Sequence, residues 1–130
     1  MKSFVESVAG VLEVESIGLE DDFRATEGWC SLHAFGLLVM LENDYGARVS
    51  LERFMELKTV RDLYAEAFLA FAAELLKVPR AVISLSTAHG SLPEWDSVAH
   101  LRLVMEAEAR FGSSYPIEKI PALKTLGDFL

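Results

Sequence analysis

The chain has one cysteine among its 130 residues, Cys30. A disulfide within the chain is thereby excluded, and the composition suits a reducing, cytoplasmic setting. No run of roughly 18 uncharged apolar residues is present, so no membrane span is expected. The apolar N-terminal stretch MKSFVESVAGVLEVES is broken by Glu6, Glu13 and Glu15, which is not the pattern of a secretory signal. Positive charge is short as well: 12 Lys and Arg stand against 20 Asp and Glu, a formal charge of −8. Such a surface repels a phosphate backbone and argues against nucleic acid as a partner. The imbalance is local, with −7 in residues 1–66 and −1 in residues 67–130, so the two halves can meet different partners.

Catalytic patterns are missing too. There is no Gly-rich phosphate loop and no Gly-x-Ser-x-Gly elbow. His33, His89 and His100 have no partners at a metal-ligand spacing that recurs, so neither a metal site nor an enzyme activity of the chain's own is expected. Met40, Met55 and Met105 lie in helical apolar patterns and are expected in the core.

What the chain does have is a pattern written twice. Shifted by 66 residues, positions 29–64 align with 95–130 without a gap, and ten of the 36 pairs are identical. About two identities would arise by chance from ordinary residue usage. The identities include Trp29/Trp95, Ser31/Ser97, Gly46/Gly112, Lys58/Lys124, Thr59/Thr125 and Asp62/Asp128, and an internal duplication is the economical explanation.

Each copy reads as helices. Leu32, Phe35, Leu38, Val39 and Tyr45 recur at helical spacing before Gly46, as do Val98, Leu101, Val104, Met105 and Phe111 before Gly112. A short segment follows each, SLERFMEL and PIEKIPAL, the second broken by Pro121 and expected to form only a brief turn. From Thr59, a suitable cap, no Gly or Pro intervenes until Pro79, so one helix is expected to join the copies. Its Phe68, Leu69, Phe71, Leu75 and Leu76 cover more than one face, which implies burial on both sides. Loops are expected at 15–30 and 79–96, where Pro, Gly, Ser and Asp collect. The second copy ends five residues after Thr125, so its last helix is short. The joining helix, the first copy or a second chain in a homodimer must cover that face.

Asp96 and Ser97 precede an apolar helical run, as N-capping residues commonly do. The stretch WDSVAHLRLVMEAEARFG, the later KIPALKTLGDFL and the order helix, long loop, helix together resemble acyl carrier proteins. The resemblance covers nearly the whole second copy and, more weakly, the first. It implies an all-α fold of two four-helix bundles, residues 1–66 with the degenerate motif Cys30-Ser31-Leu32 and residues 67–130 with Asp96-Ser97-Val98. In that family the serine of Asp-Ser-Leu begins the second helix and receives 4′-phosphopantetheine from coenzyme A. The resemblance therefore implies attachment at Ser97, with Asp96 beside it, and a possible second attachment at Ser31, whose preceding acid is replaced by Cys30. It also implies a phosphopantetheinyl transferase and separate acyl-loading and acyl-processing enzymes as partners, with acyl, fatty-acid, polyketide or similar intermediates carried as thioesters. The mixed charges His100, Arg102, Glu106, Glu108 and Arg110 on the second helix point to a specialised pathway. The competing reading is an unmodified carrier-like helical module for protein–protein contacts, with both serines acting only as caps. Trp29 and Trp95 are expected to anchor the long loops.

Overall fold

Polar caps set the starts of the helices in the computed structural model, which describes residues 3–130. Ser3 opens α1 (Phe4–Leu12) through a capping box with Glu6, and Thr59 opens α4 (Val60–Leu76) through one with Asp62. Ser50 caps α3 (Leu51–Glu56) and Asp96 caps α5 (Ser97–Phe111). Helix α2 (Ser31–Tyr45) differs: its cap position is Cys30, which makes no side-chain cap bond. The ends are as local as the starts. Gly46 and Gly112 close α2 and α5 in the left-handed region, at φ of 69° and 72°, where a glycine has no Cβ to strain.

The chain is all-α. Among the described residues no strand forms, and the only β pairings are isolated bridges, Asp22 with Thr59 and Ala88 with Thr125. The loops expected at 15–30 and 79–96 contain only 3-10 turns, at Phe23–Ala25, Arg80–Val82 and His89–Ser91. PIEKIPAL forms a 3-10 turn at Ile117–Ala122 with Pro121 inside it, whereas the corresponding α3 is a short α-helix. After Thr125 the chain makes one further turn, Leu126–Phe129.

The 66-residue recurrence extends to backbone hydrogen bonds. Val60 and Arg61 donate their N–H groups to the carbonyls of Asp21 and Leu19, while Leu126 and Gly127 donate to those of Thr87 and Leu85. Phe23 donates to the Lys58 carbonyl and His89 to that of Lys124. In both places the Asp carboxylate, Asp62 or Asp128, accepts from the two preceding N–H groups, Lys58 and Thr59 or Lys124 and Thr125. The repeated Lys-Thr-x-x-Asp is thus a tie that fastens each long loop. Where an N–H would otherwise be orphaned, a carboxylate satisfies it.

Helix α4 runs unbroken through the point between residues 66 and 67. It buries Leu63, Ala67, Phe68, Leu69, Phe71, Ala72 and Leu76, on more than one face as the sequence suggested. The buried side chains form a single cluster. At its centre Tyr45 and Phe111, the terminal residues of α2 and α5, stack with centroids 5.1 Å apart and planes 10° from parallel. Phe4 packs on Tyr45 and Tyr64, and Phe111 also meets Tyr64, Phe68 and Phe71. Each such aromatic pair adds about 0.5–1.5 kcal/mol beyond area burial. Phe129 of the last turn stacks on Phe68, so α4 covers the face for which the sequence left three candidates. Glu66, buried on α4, ties α3 to the segment after α4 by pairing with Arg53 at 2.7 Å and Arg80 at 3.6 Å.

The core expectation for the methionines needs correction. Met40 is buried, but Met55 and Met105 are exposed. The apolar period after each serine misleads in the same way. Leu32, Phe35 and Val39 on α2, and Val98, Leu101 and Met105 on α5, face solvent, while Leu37, Met40, Leu41, Leu103, Val104 and Ala107 fill the core. These helices carry apolar side chains on two faces, and periodicity alone does not say which one is covered.

Because α4 belongs to one common core, a proline in its middle acts on both halves. Ala70→Pro should cost about 3 kcal/mol or more, and the whole chain should lose stability in a single thermal transition. Separate melting of the two halves in the parent protein would contradict a shared core.

Candidate functional site

The site is built from the loop end upward. Trp95 is buried at 2% exposure, and its indole Nε1–H donates to Nδ1 of His100 at 3.1 Å. An indole nitrogen can only donate, so Nδ1 of His100 is the acceptor and Nε2 carries the proton. That Nε2–H faces the Ile120 carbonyl at 2.9 Å. His89 meets Trp95 edge-on at 5.0 Å, and Phe129 closes the cluster against Trp95 and His100. The residue before the Asp-Ser pair is therefore pinned by packing and by one directed hydrogen bond. His100, read from sequence as part of a mixed charged face, is instead this pin. Its signal in the sequence was only a Trp and a His five positions apart.

With Trp95 fixed, the chain turns into α5 at a defined point. Asp96 sits at the cap in extended backbone, and its Oδ1 accepts the Ala99 N–H at 2.8 Å. Ser97 is the first residue of α5 and is exposed. Among the described residues nothing hydrogen-bonds its hydroxyl, so it is free for an incoming group. The helix N-terminus favours a phosphate bonded there, because its first N–H groups carry partial positive charge. These residues fit a phosphodiester-linked prosthetic group: an exposed hydroxyl with a carboxylate one residue away.

Ser31 occupies the same place at the head of α2 and is likewise exposed. Its surroundings differ. Cys30 replaces the carboxylate, Trp29 is only half-buried, against Phe23, and the counterpart of His100 is Ala34. Ser31 and Ser97 thus begin two helices of 15 residues each, with Cys30 and Asp96 at the cap positions. Among the described residues no group of three or more His, Cys, Asp or Glu side chains stands ready for a metal ion.

The chain is all-α and carries an exposed serine at the head of each of two 15-residue helices, one of them next to a capping carboxylate. The family model described as phosphopantetheine attachment site matches residues 2–67, half of the chain, and the chain belongs to that family. Members carry 4′-phosphopantetheine covalently on a serine and hold intermediates without catalysing their conversion. They interact with phosphopantetheinyl transferases and acyl-processing enzymes. The matched segment contains Cys30 and Ser31 and stops before Ser97. No curated protein and no solved structure matches the chain. Among the described residues no helix is long and apolar enough to cross a membrane.

The tie behind Ser97 titrates in acid. Hydrogen bonds from the Thr125 and Lys124 N–H groups hold the Asp128 carboxyl below the usual carboxylate range. A lowered folded value stabilises the fold above the ordinary carboxylate pKa, and the contribution disappears as pH falls through the folded value. Below about pH 4 the wild type should therefore lose thermal stability more steeply than Asp128→Asn. Equal acid profiles for the two would show that the tie contributes nothing.

Proposed function

We propose that the chain is a cytoplasmic acyl carrier of a specialised fatty-acid, polyketide or similar pathway, with 4′-phosphopantetheine attached to Ser97. The observation that carries this reading is the free, exposed Ser97 hydroxyl at the head of α5, directly after the capping carboxylate of Asp96. The prosthetic group supplies a thiol on which acyl groups are held as thioesters. The chain's own residues present it: Trp95 and His100 fix the loop end, Asp96 marks the serine for the transferase, and α5 orients the attachment point. In this reading residues 1–66 and 67–130 are two carrier-like units that share α4 and one core. The matching Asp22–Thr59 and Ala88–Thr125 bridges and the 66-residue spacing of helices and ties support it.

The exposed stripe Val98, Leu101 and Met105 then serves as the surface met by the transferase and the acyl-loading and acyl-processing enzymes. Apolar residues aligned along one exposed helix face are costly to leave in water unless something covers them in use.

The position of the family match favours a second reading, in which Ser31 accepts the group. It is equally exposed, though the acid is missing. A third, an unmodified interaction module, draws on the equivalent stripe Leu32, Phe35 and Val39 beside a serine without its aspartate.

Incubation with coenzyme A and a broad-specificity phosphopantetheinyl transferase distinguishes these readings. Intact mass spectrometry should show one added group on wild type and on Ser31→Ala, and none on Ser97→Ala. Loss only in Ser31→Ala would move the attachment to the first unit, and an unmodified wild type would leave the interaction module. Leu101→Asp, at a site 52% exposed, should leave stability within about 0.5 kcal/mol. It should also slow modification of Ser97 about tenfold, since it removes roughly 1.4 kcal/mol of docking contact. An unchanged rate would remove the stripe from recognition by the transferase.

A further inference from the structure

We propose that Cys30, His33 and Glu13 form a thiol acyl-acceptor site, in which the Cys30 sulfur takes an acyl group from a thioester of the coenzyme A class. The choice of substrate rests on the carrier reading; the geometry does not. Cys30 is exposed at the cap of α2, and its thiol serves no capping bond. It lies 3.9 Å from Nδ1 of His33, within hydrogen-bond reach for sulfur. Nε2 of His33 lies 3.5 Å from Oε2 of Glu13, the residue that ends α1. The His33 side chain is only 13% exposed and rests against Trp29 with centroids 6.1 Å apart, so the ring is held between its two partners.

The proton positions follow from the partners. An ionised carboxylate can only accept, so Nε2 of the neutral ring carries the hydrogen and Nδ1 offers its lone pair to the thiol. A nucleophile, a base facing it and a carboxylate orienting the base form the arrangement that activates a thiol. In α5 the equivalent positions are Asp96 and Ala99, and Asp96 accepts the Ala99 N–H in an ordinary cap. In α2 both members of that pair differ, and the contact runs between side chains. No side chain accepts from the first N–H groups of α2; those of His33 and Ala34 go to the Cys30 carbonyl, and those of Ser31 and Leu32 are left for the oxygen charge that develops on an attacked carbonyl. Leu32 and Phe35 stand exposed within the next turn and a half. Phe35, Leu38, Val39 and Val49 form the apolar part of an open groove of about 590 Å³ along α2, whose rim carries Glu42, Arg48 and Ser50.

The step balances without an oxidant. Nδ1 of His33 takes the thiol proton, and the Cys30 sulfur bonds to the thioester carbonyl carbon. The carbon–sulfur bond to coenzyme A breaks, and the departing thiolate recovers the proton from His33. One thioester is exchanged for another, once per chain. Glu13 is a positioning residue, since it touches only the imidazole.

The test uses the full chain as Ser31→Ala/Ser97→Ala, which removes both candidate attachment points, with octanoyl coenzyme A as the probe. Intact mass spectrometry should show one octanoyl group that hydroxylamine removes and that Cys30→Ser abolishes. His33→Ala should slow its formation about tenfold or more, and added imidazole should restore the rate. Glu13→Ala, at an exposed position, should slow it severalfold, while Glu13→Gln, which keeps an acceptor oxygen, should recover most of it. No adduct, an equal rate in both His33→Ala and Glu13→Ala, or no rescue by imidazole would overturn the proposal. Phosphopantetheine transfer to wild-type Ser97 is scored separately and needs neither Cys30 nor His33, so the two readings fail independently.

Discussion

The burial of Trp95 is the constraint on which the serine site depends. A loop as long as 79–96 loses much conformational entropy when its end is fixed. The indole offsets that loss by filling the space between His89, His100 and Phe129. Its N–H selects the orientation by donating to a ring that is itself bound to the Ile120 carbonyl. One residue later the backbone is already at the helix cap, so Ser97 has little freedom to be anywhere but at the head of α5. The tie from Leu126 and Gly127 to the middle of the loop holds the other side of the same loop. Trp95 alone of residues 93–97 is buried, and that anchor leaves Asp96 and Ser97 exposed at the head of the helix.

The recurrence at 66 residues separates structural needs from site chemistry. Residues that are the same at both places do the same mechanical work. Lys58/Lys124, Thr59/Thr125 and Asp62/Asp128 make the ties, and Gly46/Gly112 end the helices. Among the many pairs that differ, three stand at the helix heads: Cys30 against Asp96, His33 against Ala99, Ala34 against His100. Two equivalent frames thus present different chemistry, a carboxylate beside one serine and a thiol with an imidazole beside the other. The uneven charge of the two halves gives these heads different electrostatic settings as well.

Much of this was legible in the sequence, for local reasons. Helix starts follow from polar caps, the ends of α2 and α5 from Gly46 and Gly112, and the unbroken α4 from the absence of Gly and Pro after Thr59, whereas α1 and α4 end at Glu13 and Lys77 in the left-handed region with no such signal. The rest depended on long-range packing. Phe111 and Tyr45 read as apolar helix residues, but nothing in their spacing says that they stack on each other and join the halves into one core. The exposed stripe with Met105 has the same period as a buried face, and Met55 on the short α3 has too few neighbours of its own for periodicity to tell its face, so sequence alone does not show that both are exposed. His100 reads as a surface charge in sequence, because its indole partner is set by the fold of the loop. The contact from Cys30 through His33 to Glu13 spans α1 and α2, which no local pattern connects.

The account comes down to a single covalent bond on one oxygen. Chain isolated from its native cells, digested and sequenced by tandem mass spectrometry, reports where a phosphopantetheine sits without any assumption about the transferase. The account predicts the group on the peptide that contains Trp95, Asp96 and Ser97. A peptide recovered bare, with the group on Ser31 or nowhere in the chain, would contradict it.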